Sequence, residues 1–150
     1  VVLEILESET VGKDKIVYAP PQILVTSKAI ADVARFVLME PDLRFDSLMT
    51  LAAVDRGESL SVVYQLHSMT HRHKVALRVD VPRGNPVIPT VSDVWLTAEW
   101  HEREAFDVMG VQFEGHPDPR RILLPDDWVG HPLRKDYVTP MFYRGMKVPY

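Results

Sequence analysis

Residues 100–137 constrain this chain most, because Gly110 divides them into a segment that can be helical and a tail that cannot. Before the glycine, Glu102, Arg103, Glu104 and Asp107 stand close together. After it a small unit recurs: Gly115-His116-Pro117 is followed by Arg120-Arg121, and Gly130-His131-Pro132 by Arg134-Lys135. Beyond Gly115 the apolar residues follow no helical or strand period, and the last 36 residues hold half of the chain's 12 prolines. Proline lacks a backbone donor and cannot sit inside a helix, so this tail cannot build its own core. It must lie along its own domain, lie along another protein, or stay disordered. Frequent large apolar residues (Ile122, Leu123, Leu124, Trp128, Leu133, Phe142) argue against disorder. With few local partners for its backbone, the tail is expected to be mobile or protease-sensitive in the free chain and protected in an assembly.

Upstream, the periods describe a folded body. Ile30, Val33, Ala34, Val37 and Leu38 fall at helical spacing over residues 27–40, with Thr26 or Ser27 able to cap and Pro41 to stop. Ile23-Leu24-Val25, after Pro20-Pro21, reads as a short strand. Residues 48–54 are apolar and end in the turn composition Asp55-Arg56-Gly57-Glu58. Leu60, Val62, Tyr64 and Leu66 alternate with other residues, as do Val75, Leu77, Val79 and Val81, which predicts a three-strand antiparallel meander with one buried face. After a loop over residues 82–89, a second helix is expected from near Ser92 to Met109. On it Trp95, Ala98, Ala105, Phe106 and Met109 share a face with Glu102, while Arg103, Glu104 and Asp107 point elsewhere.

Composition removes several function classes. At 150 residues the chain suits one domain. No apolar run approaches the roughly 18 residues of a bilayer span, and no leader pattern opens the chain, so it is expected to be soluble on its own. Opening on Val1 rather than methionine is what a processed or trimmed piece would show. Without cysteine there are no disulfides, thiolate nucleophiles or cysteine-held iron–sulfur and zinc sites, and a redox centre would belong to a partner. A formal charge of −4 offers little attraction for nucleic acid. No G-x-G-x-x-G, G-x-x-x-x-G-K-[ST] or G-x-S-x-G motif occurs.

The remaining candidates are polar clusters. His67, His71 and His73 invite a metal reading, but no third ligand stands at metal spacing, and a solvent-facing hairpin connection is the plainer account. His116 and His131 read either as a proton-relay pair tuned by Asp118, Asp126 and Asp127, or as imidazoles bonding carbonyls freed by the prolines. The second is favoured, since no nucleophile or metal accompanies them. Glu102 and Glu104 diverge on a helix, and Arg103 with Asp107 has the spacing of an ordinary i,i+4 pair. Glu102, a carboxylate on an apolar face, needs a buried partner, and an arginine of the tail (Arg120, Arg121 or Arg134) is the expectation.

The run Glu102-Arg103-Glu104, Asp107-Val108-Met109, His116, Arg120, Ile122-Leu123 resembles the signature of the 30-kilodalton-type subunit of respiratory complex I, the NADH:quinone oxidoreductase of bacteria and mitochondria. The likeness continues through Leu124-Pro125-Asp126-Asp127-Trp128 and Gly130-His131-Pro132-Leu133-Arg134-Lys135-Asp136-Tyr137, and more weakly back to Thr26. It departs at Ala105-Phe106 and Val108-Met109, where the family often has bulkier residues. The resemblance implies an α+β fold, a two-layer domain with a mainly antiparallel mixed sheet packed against helices. An α+β body over residues 1–114 and a Pro-rich docking arm over residues 115–150 would form a single unit. It also implies a structural subunit with no cofactor of its own, the iron–sulfur clusters, flavin and quinone lying in partner subunits. The implied partners are the large (49-kilodalton-type) subunit lining the quinone pocket, the small subunit that holds the terminal iron–sulfur cluster and other hydrophilic-arm subunits. The implied place is the cytoplasmic face of the membrane, or the matrix face if mitochondrial. Docking would fall to Glu102, Arg103, Glu104, Asp107, His116, Arg120, Arg121, Trp128, His131, Arg134, Lys135, Asp136 and Tyr137. Related subunits serve membrane-bound hydrogenases and ferredoxin- or deazaflavin-fed enzymes, and nothing in this chain chooses the donor. A stand-alone histidine-metal hydrolase is the alternative of a different class.

Overall fold

The computed structural model describes residues 4–6 and 22–148. Pro20 and Pro21 lie outside the described residues. The meander forms as its alternation dictates: β3 (Ser47–Asp55), β4 (Ser59–His67) and β5 (Lys74–Pro82) pair antiparallel in sequence order. Across β4 and β5 the opposed pairs Leu60 with Val81, Val62 with Val79, Tyr64 with Leu77 and Leu66 with Val75 are all buried. Each such aliphatic side chain contributes about 1.5–3 kcal/mol on full burial.

Strand β3 carries a bulge at Met49: Leu48 pairs with Leu66, but Thr50 already pairs with Gln65. The extra residue re-phases the strand, so that Leu48 and Leu51, three apart in sequence, both face the core. Asp55 therefore ends β3 opposite Leu60, on the apolar face.

Two short strands extend the sheet to the order β1-β2-β5-β4-β3: β2 (Gln22–Leu24) lies parallel to β5, and β1 (Glu4–Leu6) antiparallel to β2. A 3-10 turn (Ser27–Ala29) leads into α1 (Ile30–Met39), which buries Ile30, Ala34 and Val37. Neither Thr26 nor Ser27 caps by its side chain. Instead the Thr26 carbonyl accepts from the Ala29 N–H, at 3.0 Å. The helix stops at Glu40, before Pro41.

The second helix is shorter than its periodicity suggests. Residues 92–97 run in successive turns, and α2 spans Ala98–Met109. Those turns are pinned from outside: the Trp95 indole donates to the Phe45 carbonyl at 3.0 Å, and the Val91 N–H goes to the Glu102 carboxylate at 2.8 Å. Gly110 ends α2 in the left-handed region, φ 74°, as expected. Beyond the periodic segments, β6 (Val87–Pro89) and β7 (Gln112–Glu114) form a parallel pair that sets residues 90–91 beside α2. Within the tail, β8 (Phe142–Tyr143) and β9 (Met146–Lys147) make a small hairpin with Arg144 and Gly145 both at positive φ.

Candidate functional site

Helix α2 presents two fully buried carboxylates, Glu102 and Asp107, in different directions. Glu102 shares the core stripe of Ala98, Ala105 and Met109. Its partners are the Thr90 hydroxyl and the Val91 N–H rather than an arginine, which corrects the expected pairing. The reason is the β6–β7 pair, whose loop delivers polar donors to the carboxylate from within the body, as the loop's sequence does not reveal. Burial raises the pKa of Glu102, and the two donors only partly oppose it.

Asp107 is the residue that takes the tail arginine. Arg121 Nη1 lies 2.7 Å from Oδ1, while Oδ2 accepts from the N–H groups of Ile122, Leu123 and Leu124 at 3.0, 2.7 and 2.9 Å. Burial alone would raise the Asp107 pKa, but these donors hold it below its ordinary value. The expected Arg103–Asp107 pair is absent among the described residues. Arg103 instead donates to the carbonyls of Arg120 and Arg121, both at 3.1 Å, lies 3.5 Å from Asp118, and sits over the Trp100 ring.

What fastens the tail is the end of the helix. The last four carbonyls of any α-helix lack intrahelical donors. Here Gly110 N–H serves Phe106, Arg121 and His131 serve Asp107, Leu133 N–H serves Val108, and Arg134 Nε serves Met109. The tail is thus an extended cap, and its cations meet the negative pole of α2. Arg121 Nη2 donates to the Trp128 and Gly130 carbonyls, drawing that loop shut. Gly110 permits the close approach: a Cβ there would stand 2.5 Å from the His131 ring and 2.7 Å from Arg134 Nη2.

The histidines serve this frame. His116 Nδ1 accepts from the Asp118 N–H, so the proton rests on Nε2, which faces the Glu99 carbonyl at 3.0 Å. His131 Nδ1 donates to the Asp107 carbonyl at 3.0 Å, and burial lowers its pKa. The connection faces solvent as expected, with Thr70, His71 and Arg72 exposed and His73 half-buried, while the Nε2 atoms of His71 and His73 bond the Pro41 and Leu43 carbonyls and staple the turn after α1. No group of three or more potential ligands among the described residues could hold a metal ion.

Farther along, Lys135 N–H and Arg83 both reach Asp55, and Arg83 also binds Asp136. Donors from Arg83 first, then the Lys135 and Gly57 N–H groups, hold the Asp55 carboxyl well below its usual range. Asp55, Arg83 and Thr90 are site residues that sequence reasoning missed, since a turn aspartate and two loop residues give no periodic signal. Trp128 is half-buried against Tyr143 and donates to the Tyr137 hydroxyl, itself beneath Gly130. Arg120 pairs with Asp118 at the surface, and Glu104 stays exposed.

These opposed shifts set a pH profile. Asp107 and Asp55 have lowered folded pKa values, so their stabilisation is present above about 3.8 and is lost as pH falls through the folded values. Glu102 has a raised one, so its contribution is full below 4.5 and is lost as pH climbs through the folded value. Urea midpoints should therefore fall on the acid side in both the wild type and Glu102→Gln, while the variant gains on the wild type above 4.5. Parallel curves for the two proteins across that range would contradict the assignment.

The model of the family described as respiratory-chain NADH dehydrogenase, 30 Kd subunit, matches residues 23–143. An NADH-quinone oxidoreductase subunit of Chloroherpeton thalassium is 52% identical over 120 residues, covering 79% of this chain and 50% of that protein. Its counterpart in Chlorobium phaeobacteroides is 48% identical over 122 residues, covering 79% and 74%. The chain thus spans about half the length of the Chloroherpeton relative. Among solved structures, the trypsin-resistant fragment (1-134) of Nqo5 superposes with a TM-score of 0.59 at 28% identity, over 71% of this chain and 86% of that one. A chain of the archaeal membrane-bound sulfane sulfur reductase superposes at 0.69 with 24% identity, over 83% and 75%, a likeness of fold alone. On the family match and the extent of these identities, the chain belongs to the family of the 30 Kd subunit of respiratory-chain NADH dehydrogenase.

Proposed function

We propose that this chain is a structural subunit of a proton-translocating NADH:quinone oxidoreductase, contributing an interface rather than a reaction. It holds no cofactor and docks by its arm, residues 115–150, on the quinone-pocket subunit and on the subunit that holds the terminal iron–sulfur cluster. Its place is peripheral, on the cytoplasmic face of the membrane, or the matrix face in a mitochondrion. The observation that carries this reading is the arm's surface. Arg121, His131 and Arg134 are spent on capping α2, while Leu123, Val129, Leu133, Val138, Met141 and Phe142 stay exposed, Val138 at 85%. So many large apolar side chains along one segment mark a protein interface. The proposed site residues divide accordingly. Asp107, His116, Arg121, His131, Arg134 and Asp136 shape the arm, with Glu102 holding the body beneath. Arg103, Trp128 and Tyr137 brace the arm's carbonyls and rings, while Glu104, Arg120 and Lys135 have the exposure to meet a partner.

The names of the relatives favour the NADH-fed enzyme over hydrogenase, ferredoxin and deazaflavin systems. The histidine-metal hydrolase loses its motive, since the His71 and His73 rings serve backbone carbonyls. No described helix is long and apolar enough to cross a membrane. Tagged protein drawn from its native cell should bring down the quinone-pocket and iron–sulfur subunits, and Val138→Asp should reduce that recovery severalfold without moving the melting temperature. The isolated chain should show no stoichiometric flavin or iron–sulfur absorbance. Undiminished recovery by Val138→Asp, or by a chain cut after Gly115, would move the interface to the sheet.

A further inference from the structure

We infer that Asp107 is a latch that sets the arm in its binding conformation before any partner arrives, an inference that rests on the docking reading above. Three consecutive N–H groups, of Ile122, Leu123 and Leu124, converge on the single oxygen Oδ2. Successive amides aimed at one point form a nest, a backbone arrangement suited to an anion. Arg121 completes it at Oδ1. The arm therefore carries a built anion receptor, and its occupant is a side chain of the helix 14–17 residues earlier.

This changes what the arm's irregular backbone implies. An irregular segment is expected to be loose because its N–H and C=O groups lack local partners. Here the partners of three N–H groups are supplied at a distance by a fully buried carboxylate of the same chain. Closing the nest fixes the backbone on both sides of Leu123 and leaves that side chain outward, 62% exposed. The same closure brings the Arg121 guanidinium to the Trp128 and Gly130 carbonyls, which positions the loop that ends at His131. An arm ordered in advance loses less conformational entropy when a partner binds.

Hydrogen exchange on the isolated full chain reads the latch directly. In the wild type the amides of residues 122–124 should exchange at least about 10-fold more slowly than in Asp107→Ala, with β4 amides as the internal reference. Leu123→Pro removes one of the three donors without touching α2. It should release the arm while β4 stays protected, so the test survives if Asp107→Ala fails to fold. Formate added to Asp107→Gly should refill the nest and restore slow exchange at residues 122–124, whereas added chloride at equal ionic strength should not. Amides 122–124 that exchange freely in the wild type, or that stay protected in Asp107→Ala, overturn the latch. A wild-type arm that is unprotected yet still recovers the partner subunits would sink the latch alone. A protected arm that recovers no partner would support the latch and sink the docking reading.

Discussion

Asp107→Asn should lower the stability of the folded chain by about 3–5 kcal/mol, while Glu102→Gln, on the same helix and equally buried, should change it by less than about 1.5 kcal/mol. The two carboxylates are buried for opposite purposes. Every group around the Asp107 side chain is a donor: three N–H groups and a guanidinium. An asparagine must turn its own NH2 toward one of these oxygen positions, and it leaves Arg121, only 14% exposed, without its counter-charge. Glu102 accepts from one N–H and one hydroxyl, with the buried His116 Nε2 3.9 Å from its Oε2. A glutamine oxygen can still accept from Val91, and its NH2 can donate to Thr90 Oγ, because a hydroxyl rotates to either role. Truncation is a different matter at this position. Glu102→Ala orphans the buried Val91 N–H and should cost about 1–3 kcal/mol, against less than about 0.5 kcal/mol for exposed Glu104→Ala. Urea unfolding of the four variants checks the order. Equal losses for Asp107→Asn and Glu102→Gln would mean that the charge on Asp107 contributes nothing.

Gly110→Ala should be nearly as damaging, at about 2–5 kcal/mol. About 1–2 kcal/mol of that is the cost of placing an L-residue at φ 74°. The rest comes from overpacking, since the new Cβ meets the His131 ring and Arg134, which are themselves held by the helix carbonyls. Gly145→Ala is the matched control: its φ is 78°, but nothing lies within 4 Å of the added atom. The excess of Gly110→Ala over Gly145→Ala thus measures how firmly the arm presses on the helix end. Its relief by His131→Ala would show which side chain resists. An effect of Gly110→Ala no larger than that of Gly145→Ala would mean that the arm yields freely at this point.

The local elements of this protein were written into its sequence because each depends on neighbours in the chain. Alternation at Leu60, Val62, Tyr64 and Leu66, and at Val75, Leu77, Val79 and Val81, buries one face when each run is a strand, and a connection too short for a crossover makes the pair antiparallel. The helical stripe of Ala98, Glu102, Ala105 and Met109 and the glycine stop at Gly110 were legible for the same reason. So was the family, carried by the crowded run of charge, glycine and proline on both sides of that stop. The partners of the buried charges were not legible. A helical wheel places Glu102 on an apolar face and Asp107 off it, but it says nothing of what covers the other side. The β6–β7 pair, too short for a period, brought Thr90 and Val91 to Glu102, and the returning arm buried Asp107 against Arg121. Periodicity likewise missed the bulge at Met49, which turns Asp55 inward to where the arm passes at Lys135. Pairing between groups distant along the chain depends on where each backbone passes, and only the tertiary structure decides that.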